Sequence, residues 1–307
     1  MITDNSITKN SKKSTLQVIK NKLSPFAYLS PTIVLLTVLM LIPIIMVIIY
    51  SFKDNVVMNK NPIFVGIANY VKIFSDSTFH QAILNTLYFT VMSVIFHFVL
   101  GLTFAMLLNT KVLSSLTKSI FRVIYVLPWV FTATIIAILW RLMLNPNGIV
   151  NYILTTANIV SSNVEWLSSS QVALHALTYI NIWSGYPFFM ISLLAGLQGI
   201  PSELYEAATI DGANTVQSFR YVTIPKLKPI IVSMAMLDFI WTMQQFPLVW
   251  MTTGGGPIHA TEMLSTYTYK LAFSNYQFST ASASAVIVLI LSMFMAIFYV
   301  KNQKAGD

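Results

Sequence analysis

The stretch YEAATIDGANTVQSFRYVTIP, residues 205–225, is a mostly polar run set between two long hydrophobic stretches. It carries Glu206, Asp211 and Arg220, a glycine at 212 and a closing Pro225, and it offers neither a nucleophile nor a metal site. Its surroundings decide the fold class. Hydrophobic residues make up 56% of the 307 positions and charged residues only 9%, whereas a soluble domain carries about a quarter charged. Mean hydropathy is +0.70. The chain is an integral membrane protein. The absence of cysteine removes disulfides, thiolate catalysis and Cys-ligated metals together. No basic, aromatic-rich stripe lies outside the termini, so nucleic acid is not an expected partner.

A helix needs about 20 apolar residues to cross a bilayer. Residues 26–50, 85–109, 120–143, 172–198, 230–251 and 282–300 qualify, which predicts an all-α polytopic protein with six transmembrane helices. A cytoplasmic tail, residues 1–25, precedes the first, and a short tail, 301–307, follows the last. The first span follows Lys9, Lys12, Lys13, Lys20 and Lys22; its apolar run is too long for a signal-peptide core and no small-residue cleavage site follows it. It is expected to stay as an anchor.

With the N-terminus in the cytoplasm, the inner segments hold these lysines plus Lys111, Lys118, Arg122, Arg220, Lys226, Lys228, Lys301 and Lys304. The outer segments hold only Lys53, Lys60, Lys72, Arg141 and Lys270. Basic residues concentrate on the cytoplasmic side of membrane proteins, so both termini and the 205–225 run are placed there. The outer loops, about 51–84, 144–171 and 252–281, are long for simple turns. FVGIANYVKIF (64–74), VEWL (164–167) and YTYKLAF (267–273) suggest short interfacial helices, and LQVIKNKL (16–23) suggests one on the inner face.

Pro201 ends the fourth span, and Ser202 with Glu203 makes a helix start. The helix is expected to run to Ile210, with Asp211–Gly212 as the turn. Asn214 and Gln217 have capping-box spacing, so a second helix should begin there, run to about Val222 and stop by Pro225. Leu204, Tyr205, Ala207, Ala208 and Phe219 offer apolar contact, while Glu206 and Asp211 offer charge. Small residues beside an acid suit a helix seated in a partner's groove; an ordinary surface hairpin is the alternative.

Glu206-Ala207-Ala208, then Asp211-Gly212-Ala213, Phe219 and TIP at 223–225 resemble the EAA loop of ATP-binding-cassette importer permeases. NIWSGYPFFMISLLAGLQGIPSELYEAA (181–208), TGGGP (253–257), YKLAF (269–273), FVGIANYVKIF and LNTLYFT (84–90) resemble the binding-protein-dependent sugar permeases of the maltose and glycerol-3-phosphate type. The likeness spans roughly residues 26–300. It implies a type I importer transmembrane domain, residues 85–300, with a cytoplasmic coupling loop, 201–229. In that family the loop docks on the ATPase: Glu206 fits the acid that meets a basic residue there, Ala207, Ala208 and Asp211 fit its contact face, and Gly212 fits the elbow. The Gly-Gly-Pro segment resembles one of two permease types, which implies a second, different permease subunit as partner. The resemblance further implies an ATP-binding-cassette ATPase dimer and an extracellular or periplasmic solute-binding protein. This chain contains no G-x-x-x-x-G-K-[ST] phosphate loop, so ATP and Mg are expected on the partner ATPase, with no cofactor, metal or catalytic residue here.

Polar side chains inside a bilayer are costly and mark pathways or helix contacts. In DFIWTMQQF (238–246), Asp238, Trp241, Thr242 and Gln245 fall at i, i+3, i+4 and i+7, one helix face. An indole, a hydroxyl, an amide and a carboxylate together could stack on a sugar and bond its hydroxyls; packing between helices is the alternative. The same face lines the sugar site in the family, where Asp238 departs from a more usual small polar residue. It could favour a cationic or hydroxyl-rich ligand, or pair with a neighbouring helix. By the same resemblance Gly185 and Phe188 fall on the substrate path, with Pro187 beside them as a bend and Trp183 as a further wall residue or packing. His97 and His175 have no ionisable partner at helical spacing and read as helix-to-helix hydrogen-bonding groups.

The expected function is the permease of an ATP-driven, binding-protein-dependent importer in the cell membrane, for a sugar or oligosaccharide. A glycerol-3-phosphate importer is an alternative, as is an ion-gradient-driven transporter, although Asp238 is the one acid within a span. An intramembrane enzyme would need a paired constellation that a lone Asp238 does not supply.

Overall fold

The computed structural model describes residue 26, residues 28–110 and residues 112–304. The N-terminal lysine tail, the expected inner-face helix at 16–23, Lys111 and residues 305–307 lie outside the described residues. The fold is all-α: the single extended pairing among the described residues is a bridge between Lys53 and Phe64.

In chain order the helices are α1 (Tyr28–Ser51), α2 (Ala68–Phe74), α3 (Ser77–Asn109), α4 (Ser115–Val130), α5 (Ala133–Met143), α6 (Ile149–Thr156) and α7 (Ala173–Gln198). They continue as α8 (Ser202–Ile210), α9 (Thr215–Ser218), α10 (Ile224–Met243), α11 (Pro247–Thr252), α12 (Leu264–Tyr269) and α13 (Phe278–Lys304). By length and composition α1, α3, α7 and α13 can each cross a membrane, and α4 with α5 form a further candidate bent by 98°. The expected continuous helix over 120–143 is therefore broken. Phe131 is extended, and Thr132 caps the new helix by accepting from the Ile135 amide at 3.4 Å. The expected span over 230–251 is also divided: α10 ends at Met243 and Pro247 opens α11. Lys226, Lys228 and Asp238 make α10 a charged helix, whereas α1, α3 and α7 contain no lysine, arginine, aspartate or glutamate.

Two further boundaries differ from expectation. The helix after the Asp-Gly turn does not stop at Pro225. A π-turn, Phe219–Thr223, joins α9 to α10, and its wider bond from the Ile224 amide to the Phe219 carbonyl leaves room for a ring that would otherwise press on the preceding turn. VEWL is a turn, and the helix of that outer loop is α6 instead. Helix α7 runs through Pro187 unbroken.

The core is built on α3 against α7. Gly101 allows the contact, since a Cβ there would lie 2.4 Å from the Phe189 Cβ and 2.9 Å from the Met190 nitrogen. Two apolar clusters flank this seam. One holds Leu102, Leu108, Phe189, Leu193 and Leu227; the other holds Phe89, Trp140, Leu177, Ile180 and Leu248. Between them along α3 and α7 sits a polar layer of Ser93, His97 and Asn181, each nearly fully buried.

A third cluster packs Ile73, Phe79 and Ala82 against Leu264, Tyr267 and Leu271, so one side of the helical YTYKLAF segment belongs to the core while Phe273 stays exposed. Asp76 ties it to the start of α3. Its carboxylate accepts from the Thr78 amide at 2.8 Å, capping α3, and from the Tyr267 hydroxyl at 2.7 Å. Burial raises the Asp76 pKa, but the bonds from Tyr267 and Thr78 outweigh it and hold the group below its ordinary 3.8. Burial, then the bond to Asp76, pushes the Tyr267 phenol up. A carboxyl depressed by folding contributes stability above its unfolded pKa and loses it as pH falls through the folded value. We expect Asp76→Asn to lower the unfolding temperature at neutral pH. The gap from the parent protein should close below about pH 4, which thermal unfolding across a pH series measures.

Candidate functional site

The polar run between α7 and α10 folds as two short helices around a glycine elbow. Pro201 is the residue before α8 and makes no side-chain cap, so Ser202 sits inside the first turn and does not cap it. Gly212 has φ +80°, a left-handed conformation that strains any residue with a Cβ. Asn214 caps α9 reciprocally with Gln217: each side chain accepts from the other's amide, at 2.9 and 2.8 Å. The Tyr205 hydroxyl reaches Thr223 at 2.9 Å and ties α8 to the π-turn. Phe219 turns inward against the cluster containing Leu227. The hairpin is thus braced to the root of α10 at two points.

Its outer surface differs from the expected one. Glu206, Ala207, Asp211 and Gly212 are exposed and Ala208 is half-buried, but Leu204 and Tyr205 are half-buried and Phe219 packs inside. The large apolar groups presented outward are Ile210, Val216 and Tyr221. Sequence reading passed over them because they sit among polar neighbours. Apolar side chains grouped on a polar loop mark a contact surface.

Gly185, Asp238, Trp241, Thr242 and Gln245 line one cavity of about 250 Å³, together with Trp129, Ser184 and Leu248. The helix-face reading thus holds as far as Met243; Gln245 follows the end of α10 and still faces the cavity. Phe188 lies outside the cavity lining, with its ring 5.3 Å from Trp241. Trp183 packs on Trp140 at 5.5 Å, away from the cavity. The break at Phe131 matters here, because residues on both sides of it, Trp129 and Phe131 before and Ala133 and Ile136 after, line the cavity.

Asp238 pairs with a neighbouring helix. Its Oδ2 lies 2.8 Å from His97 Nδ1 on α3, and its Oδ1 accepts from the Thr242 hydroxyl at 3.2 Å. His97 Nε2 lies 3.0 Å from the Asn181 carbonyl oxygen, and Asn181 donates its amide to Ser93 at 2.9 Å. Gly185 makes room for the ring: a Cβ there would lie 2.3 Å from it. His175 likewise bonds a second helix, at 2.7 Å from the Tyr88 hydroxyl. His97 was legible as a helix-bonding group; its partner, 141 positions away, was not.

A second cavity, about 380 Å³, is lined by Arg141 of α5, by Glu165 and Trp166, and by Thr252, Thr253, Gly256 and Pro257. A fully buried acid that sequence reading missed lies against the Gly-Gly-Pro turn, where a Cβ on Gly255 would fall 2.7 Å from its Oε2. Glu262 receives Lys270 Nζ and the Thr266 hydroxyl, and His259 Nδ1 lies 3.2 Å away. Asn85 donates to the carbonyls of His259, Ala260 and Glu262. An acid eight residues before a lysine in an outer loop was the available signal. Among the described residues no three potential metal ligands converge.

Residues 97–304 match the family described as binding-protein-dependent transport system inner membrane component. The chain belongs to that family. It is a permease of an ATP-binding-cassette importer, a transport subunit and not an enzyme, and that membership sets aside the ion-gradient alternative. A probable ABC transporter permease protein of Bacillus subtilis, YurN, is 31% identical, over 94% of this chain and 98% of its own. The trehalose/maltose transport system permease protein MalF of Thermococcus litoralis is 33% identical, over 88% and 90%. A bacterial ABC transporter involved in import of the acidic polysaccharide alginate shares the fold, with a TM-score of 0.81, 25% identity, and coverage of 94% of this chain and 98% of that one.

In this permease the capping box orients the second half of the coupling-loop candidate. Asn214→Ala removes it and should cost the loop about 0.5–2 kcal/mol of local stability. Hydrogen exchange should read this as faster exchange of the first amides of α9, with the amides of α3 and α7 unchanged.

Proposed function

We propose that this permease forms one half of a translocation pore for a sugar or oligosaccharide, with a second, different permease forming the other half. The carrying observation is the cavity between α4, α5, α7 and α10. Trp129 and Trp241 offer ring faces to the C–H face of a sugar ring, while the Gln245 amide and Ser184 hydroxyl offer hydrogen bonds. Trp241 is 53% exposed in the isolated chain, so the part of its ring not packed on Phe188 is open to a ligand or to the partner subunit. No lysine or arginine lines the cavity, so nothing there would hold the phosphate of glycerol-3-phosphate. The names of the relatives, trehalose/maltose and alginate, support a carbohydrate.

In this reading an external solute-binding protein delivers the ligand to the face that carries the Gly-Gly-Pro turn. The 201–229 loop lies in the cytoplasm, as do both termini, and seats on an ATP-binding-cassette ATPase that binds ATP and Mg. Glu206 meets a basic residue of that subunit, Ala207 and Ala208 permit close approach, and Gly212 is the elbow between α8 and α9. Because α8 is tied to the π-turn and the π-turn continues into α10, a push on the hairpin reaches Asp238, Trp241 and Thr242 through one helix. ATP then shifts the balance between outward- and inward-open states by binding one of them better.

Two substitutions separate the joint from the path. Glu206→Lys should abolish ATP-driven uptake into proteoliposomes while the protein still inserts and pairs with the other permease; uptake at the parent rate refutes the joint. Trp241→Ala should reduce uptake of a neutral oligosaccharide such as maltotriose by about twofold to tenfold, since one aromatic contact contributes roughly 0.5–1.5 kcal/mol. The assembled complex should stay intact on size-exclusion chromatography. Unchanged transport of every carbohydrate tested removes Trp241 from the path.

A further inference from the structure

The polar wall of the cavity holds one formal acid and one formal base, and they are bonded to each other. His97 and Asp238 have side chains only 2% and 9% exposed, with Nδ1 and Oδ2 2.8 Å apart. The other ring nitrogen settles the proton count. Nε2 faces the Asn181 carbonyl oxygen at 3.0 Å, and a carbonyl can only accept, so Nε2 carries a hydrogen. Asp238 Oδ2 is also an acceptor unless it is protonated. A hydrogen therefore lies between Nδ1 and Oδ2. Whether it resides on the ring, as imidazolium and carboxylate, or on the oxygen, as imidazole and carboxylic acid, the pair as a whole has no net charge.

No other acid or base lines the cavity. Helix α7 adds Asn181 and Ser184, α10 adds Thr242, and α4 and α5 add only apolar or aromatic groups. An unpaired carboxylate at this depth would attract cations, repel anions and carry the desolvation cost of a charge within the membrane. Gly185, which alone leaves room for the ring, is thereby assigned as the seat of the pair.

Accepting the cavity as the solute path, we propose that His97 is a specificity-determining positioning residue: it cancels the charge of Asp238, so the pathway wall is neutral and suits uncharged, hydroxyl-rich solutes over cationic or acidic ones. In this account Asp238 is a wall group with its charge satisfied internally, not an ionic ligand for the solute. A pair that served only as a hydrogen-bonded strut between α3 and α10 would make a different prediction, because a neutral amide could replace the ring.

The test compares the parent, His97→Gln and the double variant His97→Gln/Asp238→Asn, each in the full transporter with its partner subunits. Glutamine keeps amide donors for Asp238 but supplies no compensating proton. At pH 7.5, His97→Gln should unfold several degrees below the parent and take up maltotriose about tenfold or more slowly. The double variant, neutral again, should regain most of both. The proposal is overturned if the double variant is no more stable than the single, or if His97→Gln matches the parent in both unfolding and uptake. Should His97→Gln fail to accumulate, recovery of accumulation in the double supports the proposal and failure of both overturns it. Absence of maltotriose uptake by the parent itself counts against the sugar reading alone, because the unfolding arm needs no solute.

Discussion

A polar side chain between packed membrane helices must find its partner inside the protein, and in this chain the bond between His97 and Asp238 meets that requirement for α3, α7 and α10 together. The apolar clusters on either side have no directional preference and would tolerate sliding of one helix on another. The polar layer does not. Nδ1 must face α10 while Nε2 faces the Asn181 carbonyl, and the ring fits only where Gly185 leaves space. These contacts set the rotation of α10, and with it which side chains of DFIWTMQQF meet the cavity.

The same helix connects the cavity to the hairpin between α7 and α10. From Thr215 to Met243 the chain is helical without a break, first as α9, then the π-turn, then α10. A π-turn within a helix often sits at a functional site, and here it accepts Pro225 and positions Thr223 against Tyr205. The hairpin is therefore fastened to the lower end of the element whose upper end carries Asp238, Trp241 and Thr242. In the proposed cycle, a rigid connection of this kind is what lets a chain lacking a nucleotide-binding loop respond to ATP bound elsewhere.

What the sequence made legible was mostly local. The Asn214–Gln217 box, the Gly212 turn and the apolar lengths of α1, α3, α7 and α13 depend on neighbours in the chain, and each was read close to its observed form. The misreadings share the opposite property. The break at Phe131 and Thr132 depends on how α5 packs against α11, and no glycine marks it. Pro225 predicts a stop, but a π-turn absorbs it. Phe219 looked like surface because its contacts, Leu227 and its neighbours, lie across a turn. Glu262 and the partner of His97 were invisible for the same reason: their bonds join residues that periodicity cannot align, and the resemblance placed Phe188 and Gly185 on the path without distinguishing a wall from its support.

The absence of cysteine allows the central claim to be addressed at a single atom. With Ala207→Cys as the only thiol in the chain, a short bifunctional thiol reagent added to inverted membrane vesicles should join it to a cysteine on the ATPase subunit, with a yield that changes when ATP is bound. If that cysteine is modified freely in the assembled transporter and joins no nucleotide-hydrolysing subunit, the hairpin is not the point at which the cycle is driven.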